Sequence, residues 1–240
     1  LRNKSRREKL EYVGEWEKMF FLKSISSAET QEKFNNKYLC YKTFRQYYKR
    51  DVVEIADAGD LGEFIRFTGR HGSFMIQDEA MAAYHPASVN TIRFVTAYNS
   101  GRVEYVYALL RMGVGESVVD NVYGGGVVAQ VDTETGEVMT AGCKKYGETV
   151  LTYDVHPDTN VRIKGSRIPR WNELLDTINE LVRVVPEQKY VGWDMALTDG
   201  GWVMIEGNTK PSFASIQICS GRGFRQRFDQ IKDFLGADGR

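Results

Sequence analysis

The stretch Tyr190-Val-Gly-Trp-Asp-Met-Ala-Leu-Thr-Asp-Gly-Gly-Trp-Val-Met-Ile-Glu-Gly-Asn-Thr-Lys-Pro211 constrains the chain more than any other. Two short apolar runs, Val191–Leu197 and Trp202–Ile205, flank Thr198-Asp-Gly-Gly201. Asp and Gly tolerate the positive φ of tight turns, so the pattern predicts a β-hairpin. Side chains alternate along a strand, which puts Glu206 and Asn208 on one face. Asp194 lies on the partner strand, where antiparallel pairing can bring its carboxylate opposite. Two carboxylates and an amide oxygen at the end of an apolar hairpin form a hard oxygen set of the kind that suits Mg²⁺. The competing reading is an acidic hairpin end exposed to water, since Asp and Glu are mostly surface residues.

The rest of the sequence sets this hairpin in an α+β context. Residues 1–50 read as helical, with segments over Lys4–Leu22, Ala28–Asn36 and Lys37–Tyr48. Tyr38, Tyr41, Phe44 and Tyr48 are spaced three, three and four apart, a one-sided helical stripe. With Lys+Arg and Asp+Glu both at 32, bulk charge gives no support for nucleic-acid binding, and the stripe is read as a packing face. Asp60–Phe67 predicts a further short helix. From Ser88 onward the texture is strand-like. Thr91–Tyr98 and Val103–Leu110 form one hairpin, and Val127–Val131 with Glu137–Gly142 another. Thr152–Pro169 reads as a polar loop, and Trp171–Val184 as a helix with Trp171, Leu174, Leu175, Ile178, Leu181 and Val182 on one side.

Three scattered cysteines, Cys40, Cys143 and Cys219, give no disulfide or zinc pattern and favour a reduced, cytoplasmic setting. No apolar run approaches the roughly 20 residues that span a bilayer. A start at Leu1 leads to the expectation that residues precede it. His85 and His156 each precede a proline and His71 a glycine, without metal-ligand spacing to one another.

Arg93 lies inside the apolar strand Thr91-Ile-Arg-Phe-Val-Thr96, and Arg111 ends Tyr107-Ala-Leu-Leu-Arg111. A buried guanidinium needs an anionic partner, because leaving it unpaired costs about 3–5 kcal/mol. That partner is either a protein carboxylate or a bound phosphate or carboxylate, which guanidinium grips in bidentate fashion. The run Gly124-Gly-Gly126 can present backbone N–H groups to an anion. Lys144-Lys145 reads as a solvated pair.

These landmarks in this order resemble the ATP-grasp superfamily of carboxylate–amine ligases. The likeness is closest to the sugar-transfer-associated, or hexapeptide-transferase-associated, family, and more distant to the ligases that add glutamate to a ribosomal protein. It rests on Pro86-Ala-Ser-Val-Asn-Thr-Ile-Arg93, Asn121-Val-Tyr-Gly-Gly-Gly126, the loop from His156-Pro157 to Trp171, Gly192-Trp-Asp194 and Ile205-Glu-Gly-Asn208, spanning about Gln77 to Gln217. The resemblance implies an antiparallel sheet with flanking helices behind a helical lead-in. The implied division is a helical region at 1–50, the start of a smaller subdomain at 51–76, and the main subdomain at 77–235.

The resemblance further implies that Asp194, Glu206 and Asn208 hold Mg²⁺, or Mn²⁺ in its place. Arg93 and Arg111 are the implied catalytic contacts to the γ-phosphate. Arg93, Asn121, Gly125, Gly126 and Asn208 line the implied ATP pocket. The implied reaction is ATP-dependent amide formation through an acyl-phosphate, on small-molecule or sugar-linked carboxylate and amine substrates. On this basis Asp194→Asn and Glu206→Gln are expected to remove turnover and leave folding intact. The alternatives on the same fold are a non-catalytic nucleotide-binding scaffold and a kinase-like phosphotransferase. One departure stands out. The family places an ATP-binding Lys, a Gly-rich flap and an adenine hinge before the Ser88–Arg93 block. Here Ser73-Phe-Met-Ile76 runs directly into Gln77, so the expectation is that a segment belongs between Ile76 and Gln77, the alternative being a genuine deletion that leaves a domain unable to hold ATP.

Overall fold

A computed structural model describes residues 4–55, 57–70, 77–116, 125–147 and 149–236. The lead-in is helical in five short pieces: α1 (Arg6–Leu10), α2 (Glu15–Ile25), α3 (Ala28–Asn35), α4 (Lys37–Thr43) and α5 (Arg45–Tyr48). Breaks fall where the sequence supplies caps. Ser5 forms a capping box with Glu8, Ser27 caps α3, and the Asn36 side chain accepts from the Leu39 N–H to start α4. After a 3₁₀ turn, α6 (Leu61–Arg70) and α7 (Glu79–Ala82) complete the helices before the sheet.

Among the described residues the strands form one seven-stranded sheet: β1 (Thr91–Asn99), β2 (Arg102–Met112), β3 (Val127–Val131), β4 (Gly142–Tyr146), β5 (Thr149–Tyr153), β6 (Tyr190–Thr198) and β7 (Gly201–Asn208). Their order is β5-β4-β3-β2-β1-β6-β7, and the neighbours are antiparallel. The predicted return strand Glu137–Gly142 is corrected. Val138 makes only an isolated bridge to Val131, and the strand beside β3 is β4. The Asp132 side chain accepts from the Glu134 and Thr135 amides, and after this turn the chain rejoins the sheet as a strand only at Gly142. The polar loop also begins later than expected, because Thr149–Tyr153 pairs with β4.

Alternation divides the sheet's side chains between two cores. Ile92 and Phe94 of β1 and Val191, Trp193, Met195 and Leu197 of β6 face a layer formed by α8 (Trp171–Val184) and the lead-in helices α3–α5. Val95, Ala97, Tyr107, Leu109 and Tyr190 face the other layer, built from α2, α9 (Phe213–Ser220) and α10 (Arg225–Leu235). The aromatic stripe packs as expected: Tyr41, Phe44 and Tyr48 are buried, and Phe44 meets Trp193 edge-on at 5.6 Å. The described residues contain no helix long and apolar enough to cross a membrane.

Candidate active site

A β-bulge decides what the hairpin β6–β7 presents. Asp194 pairs with Glu206 and Met195 with Met204, so Ile205 is the extra residue on β7. Without it, Trp202, Met204, Glu206 and Asn208 would all share one face. With it, Trp202 and Met204 enter the core beside Trp193, while Glu206 and Asn208 turn to the opposite face with Asp194. The two tight glycines support this assignment. A Cβ on Gly207 would lie 2.6 Å from the Phe34 ring in one core, and a Cβ on Gly192 would lie 2.9 Å from Pro211 on the other face. The bulge is held from the edge by Arg50, which donates to the Met204 carbonyl at 2.9 Å and the Ile205 carbonyl at 3.4 Å and stacks on Tyr48.

Four adjacent strands bring the predicted residues together. Arg93 stands opposite Asp194, and its Nε and Nη2 donate to Oδ1 and Oδ2 at 2.7 and 2.5 Å. Arg111, opposite Thr91 on β2, reaches across β1 and donates from Nη1 to Asp194 Oδ2 at 2.7 Å. Glu206 Oε1 lies 3.8 Å from Arg93 Nη2. Asn208 stands opposite Gly192, and its Oδ1 accepts the Lys210 N–H at 2.9 Å, which turns the chain toward Pro211 and across Gly192. Tyr107, buried beside Arg93, donates to the Ser212 carbonyl at 3.0 Å and fixes the far end of that crossing.

The electrostatics follow from burial and pairing. Asp194 is 3% exposed. Burial alone would raise its carboxyl, but the Arg93 and Arg111 guanidiniums outweigh burial and hold it below the usual carboxylate range. Burial opposes the charge on Arg93, and Asp194 more than restores it. Glu206 differs, with a side chain 30% exposed and its Oε2 paired to the Lys37 ammonium, itself 70% exposed.

The structure therefore gathers Arg93, Arg111, Asp194, Glu206 and Asn208 on one face. Gly125, with φ at +96°, and Gly126 lead into β3, whose first residue Val127 pairs with Met112 next to Arg111. Asn121 and Gly124 lie outside the described residues, as does the Ser73–Ile76 stretch before Gln77. Two contributors escaped the sequence reading. Lys37 and Arg50 come from the lead-in, more than 150 residues from β7 in sequence. Their one signal is position: each borders the aromatic stripe that docks the lead-in against β7.

Comparison with curated proteins gives no match. A family model described as sugar-transfer associated ATP-grasp matches residues 72–233. That span covers all seven strands and the five clustered residues, and begins at Gly72, before the junction at Gln77. The chain belongs to the sugar-transfer-associated ATP-grasp family.

Proposed function

We propose that the chain is an ATP- and Mg²⁺-dependent ligase that joins a carboxylate to an amine through an acyl-phosphate. Its place would be the cytoplasmic assembly of cell-surface polysaccharide or a sugar-linked metabolite, where the unpaired Cys40, Cys143 and Cys219 stay reduced. The observation that carries this reading is the juxtaposition of two strand arginines with Asp194, Glu206 and Asn208 on one sheet face. The family supplies the ATP-dependent, ligase-like scaffold.

The donor set fits a hard divalent cation. A carboxylate has about four lone-pair positions, and the three arginine bonds to Asp194 leave one. Glu206 already attracts a cation, the exposed Lys37 ammonium, which stands where a metal charge would be neutralised. Asn208 Oδ1 accepts one backbone bond and has a second lone pair. Asp194, Glu206 and Asn208 would hold the ion, which when bound supplies charge neutralisation for the ATP phosphates.

The protein's own residues then position reactants and spread charge. Arg93 and Arg111 present guanidinium edges for the γ-phosphoryl group, kept in place by Asp194. A substrate carboxylate oxygen attacks the γ-phosphorus, the bond to the bridging oxygen breaks, and ADP leaves. The amine nitrogen next attacks the acyl carbon, the carbon–oxygen bond to phosphate breaks, and one amine proton is released. No protein nucleophile is needed, because phosphoryl transfer is governed by alignment and electrostatics.

The test is a screen of amino acids and nucleotide sugars for ADP release, followed by an ¹⁸O-labelled acid. The label is expected to appear in inorganic phosphate. ADP release with the label retained in a phosphorylated product would instead show a kinase. A failure of Mg²⁺ with ATP or ADP to raise the melting temperature would overturn nucleotide binding itself.

A further inference from the structure

The two histidines that precede prolines are buried side by side, with ring centroids 5.9 Å apart. Both address the chain where it leaves β2. His156 Nε2 is 2.9 Å from the Gly113 carbonyl oxygen, and His85 Nε2 is 2.9 Å from the Gly115 carbonyl oxygen. A carbonyl only accepts, so each Nε2 carries the hydrogen and donates. The other nitrogens face polar hydrogens, His156 Nδ1 accepting from the Asp158 N–H at 3.3 Å and His85 Nδ1 lying 2.9 Å from the Ser88 hydroxyl. Asp158 closes the network, its carboxylate accepting the Gly115 N–H at 2.7 Å. Gly113 has to be glycine here. A Cβ would sit 2.3 Å from Ser88 Oγ and 2.6 Å from His85 Nδ1. The clamped residues begin two positions after Arg111.

The His156 side of the clamp is built for an uncharged imidazole. Protonating His156 at Nδ1 would set a donor against the Asp158 N–H. Among the described residues, the titratable groups facing the pair are each other and Asp158, whose carboxylate is 3.9 Å from His85 Nε2. For His156, burial is the largest influence. It outweighs the Gly113 bond and Asp158, and leaves the imidazole easier to deprotonate than the ordinary value of 6.5.

We infer that His85 and His156 are positioning residues whose hydrogen bonds fix the exit of β2 at Gly113–Gly115, and through it the aim of Arg111 in the nucleotide site. Only the nucleotide readout of this inference rests on the ligase reading; the clamp can be measured without it. Because His156 is harder to protonate folded than unfolded, the clamp is complete above the ordinary histidine value. It opens as pH falls below that value and through the folded one.

The experiment is hydrogen–deuterium exchange on the full chain at about pH 7.5 and about pH 5.5, corrected for intrinsic rates and paired with Mg²⁺·ADP titrations. In the wild type, protection of the segment Arg111–Glu116 is expected to fall at least about fivefold in acid while α8 is unchanged. His156→Gln keeps a donor and an acceptor without titrating, and is expected to hold protection at both pH values. Its Mg²⁺·ADP affinity should likewise not weaken in acid as the wild type's does. Ser88→Ala removes only the hydroxyl partner of His85 and is expected to lower protection at Gly115 at neutral pH. Wild-type protection that ignores pH overturns the clamp, as does a His156→Gln variant that titrates like the wild type. Unchanged protection in Ser88→Ala overturns the part given to His85. Mg²⁺·ADP affinity that weakens equally in wild type and His156→Gln overturns the link to Arg111. The expected exchange pattern without any ADP binding leaves the clamp standing and removes the ligase reading.

Discussion

Replacing Asp194 by asparagine keeps shape and removes charge, and the structure assigns that change a large cost. The carboxylate is 3% exposed and takes three hydrogen bonds from two guanidiniums, both of them largely buried. Asparagine leaves both cations facing a neutral amide, and removing one partner of a buried pair costs about 3–5 kcal/mol. For a chain of 240 residues each kcal/mol moves the melting temperature by about 2–4 °C, so Asp194→Asn should melt about 6–20 °C lower. Glu206→Gln disrupts a pair whose members are 30% and 70% exposed, and should cost about 0–1 kcal/mol. The sequence-based expectation that both variants leave folding intact thus becomes two different predictions, a lowered melting temperature for Asp194→Asn and an almost unchanged one for Glu206→Gln. The gap between Asp194→Asn and wild type also depends on pH. Folding holds Asp194 ionised below its ordinary value of 3.8, so its contribution is complete above that value and is lost as pH falls through the folded one. Urea titrations at several pH values provide the assay. Wild-type stability for Asp194→Asn at neutral pH would refute the buried triad, as would a gap that widens in acid.

Three further outcomes follow from the same geometry. Gly207→Ala forces a methyl to within 2.6 Å of Phe34 and should destabilise by about 1–3 kcal/mol in urea melts, whereas an unchanged midpoint would show that β7 does not turn this face inward. Lys37→Ala removes an exposed partner and should change stability by less than about 1 kcal/mol while lowering the Mg²⁺ concentration needed for nucleotide binding, since the ammonium and the ion share Glu206. A raised Mg²⁺ requirement would instead make Lys37 a phosphate contact. Arg50→Ala strips a charged donor from two β7 carbonyls and should cost about 1.5–3 kcal/mol, read by thermal melting; a neutral result would show that the bulge holds without its edge cap.

The sequence made the hairpin legible because its two short apolar runs and the Asp-Gly-Gly turn between them are local signals. Trp171–Val184 was legible for the same reason, as a 3.6-period apolar face. The shared face of Glu206 and Asn208 follows from strand alternation, yet the bulge at Ile205 that makes it compatible with burying Trp202 and Met204 leaves no mark in composition. Strand β4 was displaced because Val138 and Met139 look like strand residues, whereas pairing was decided by where the Asp132 turn returns the chain. Arg93 and Arg111 were identified as needing anions. That both choose Asp194 depends on β1 lying between β2 and β6, a non-local fact of topology. Lys37 and Arg50 were hidden for the same reason, since only docking of the lead-in carries them to β7.

The proposed chemistry requires that the Asp194–Glu206–Asn208 face hold nucleotide with a divalent ion. Calorimetric titration of ATP into wild type and Glu206→Gln, each with and without Mg²⁺, asks this directly because Glu206→Gln should leave the fold intact. The expected result is Mg²⁺-dependent binding in the wild type that is lost in the variant at an unchanged melting temperature. Equal Mg²⁺-dependent binding in both proteins, or none in the wild type, would contradict it.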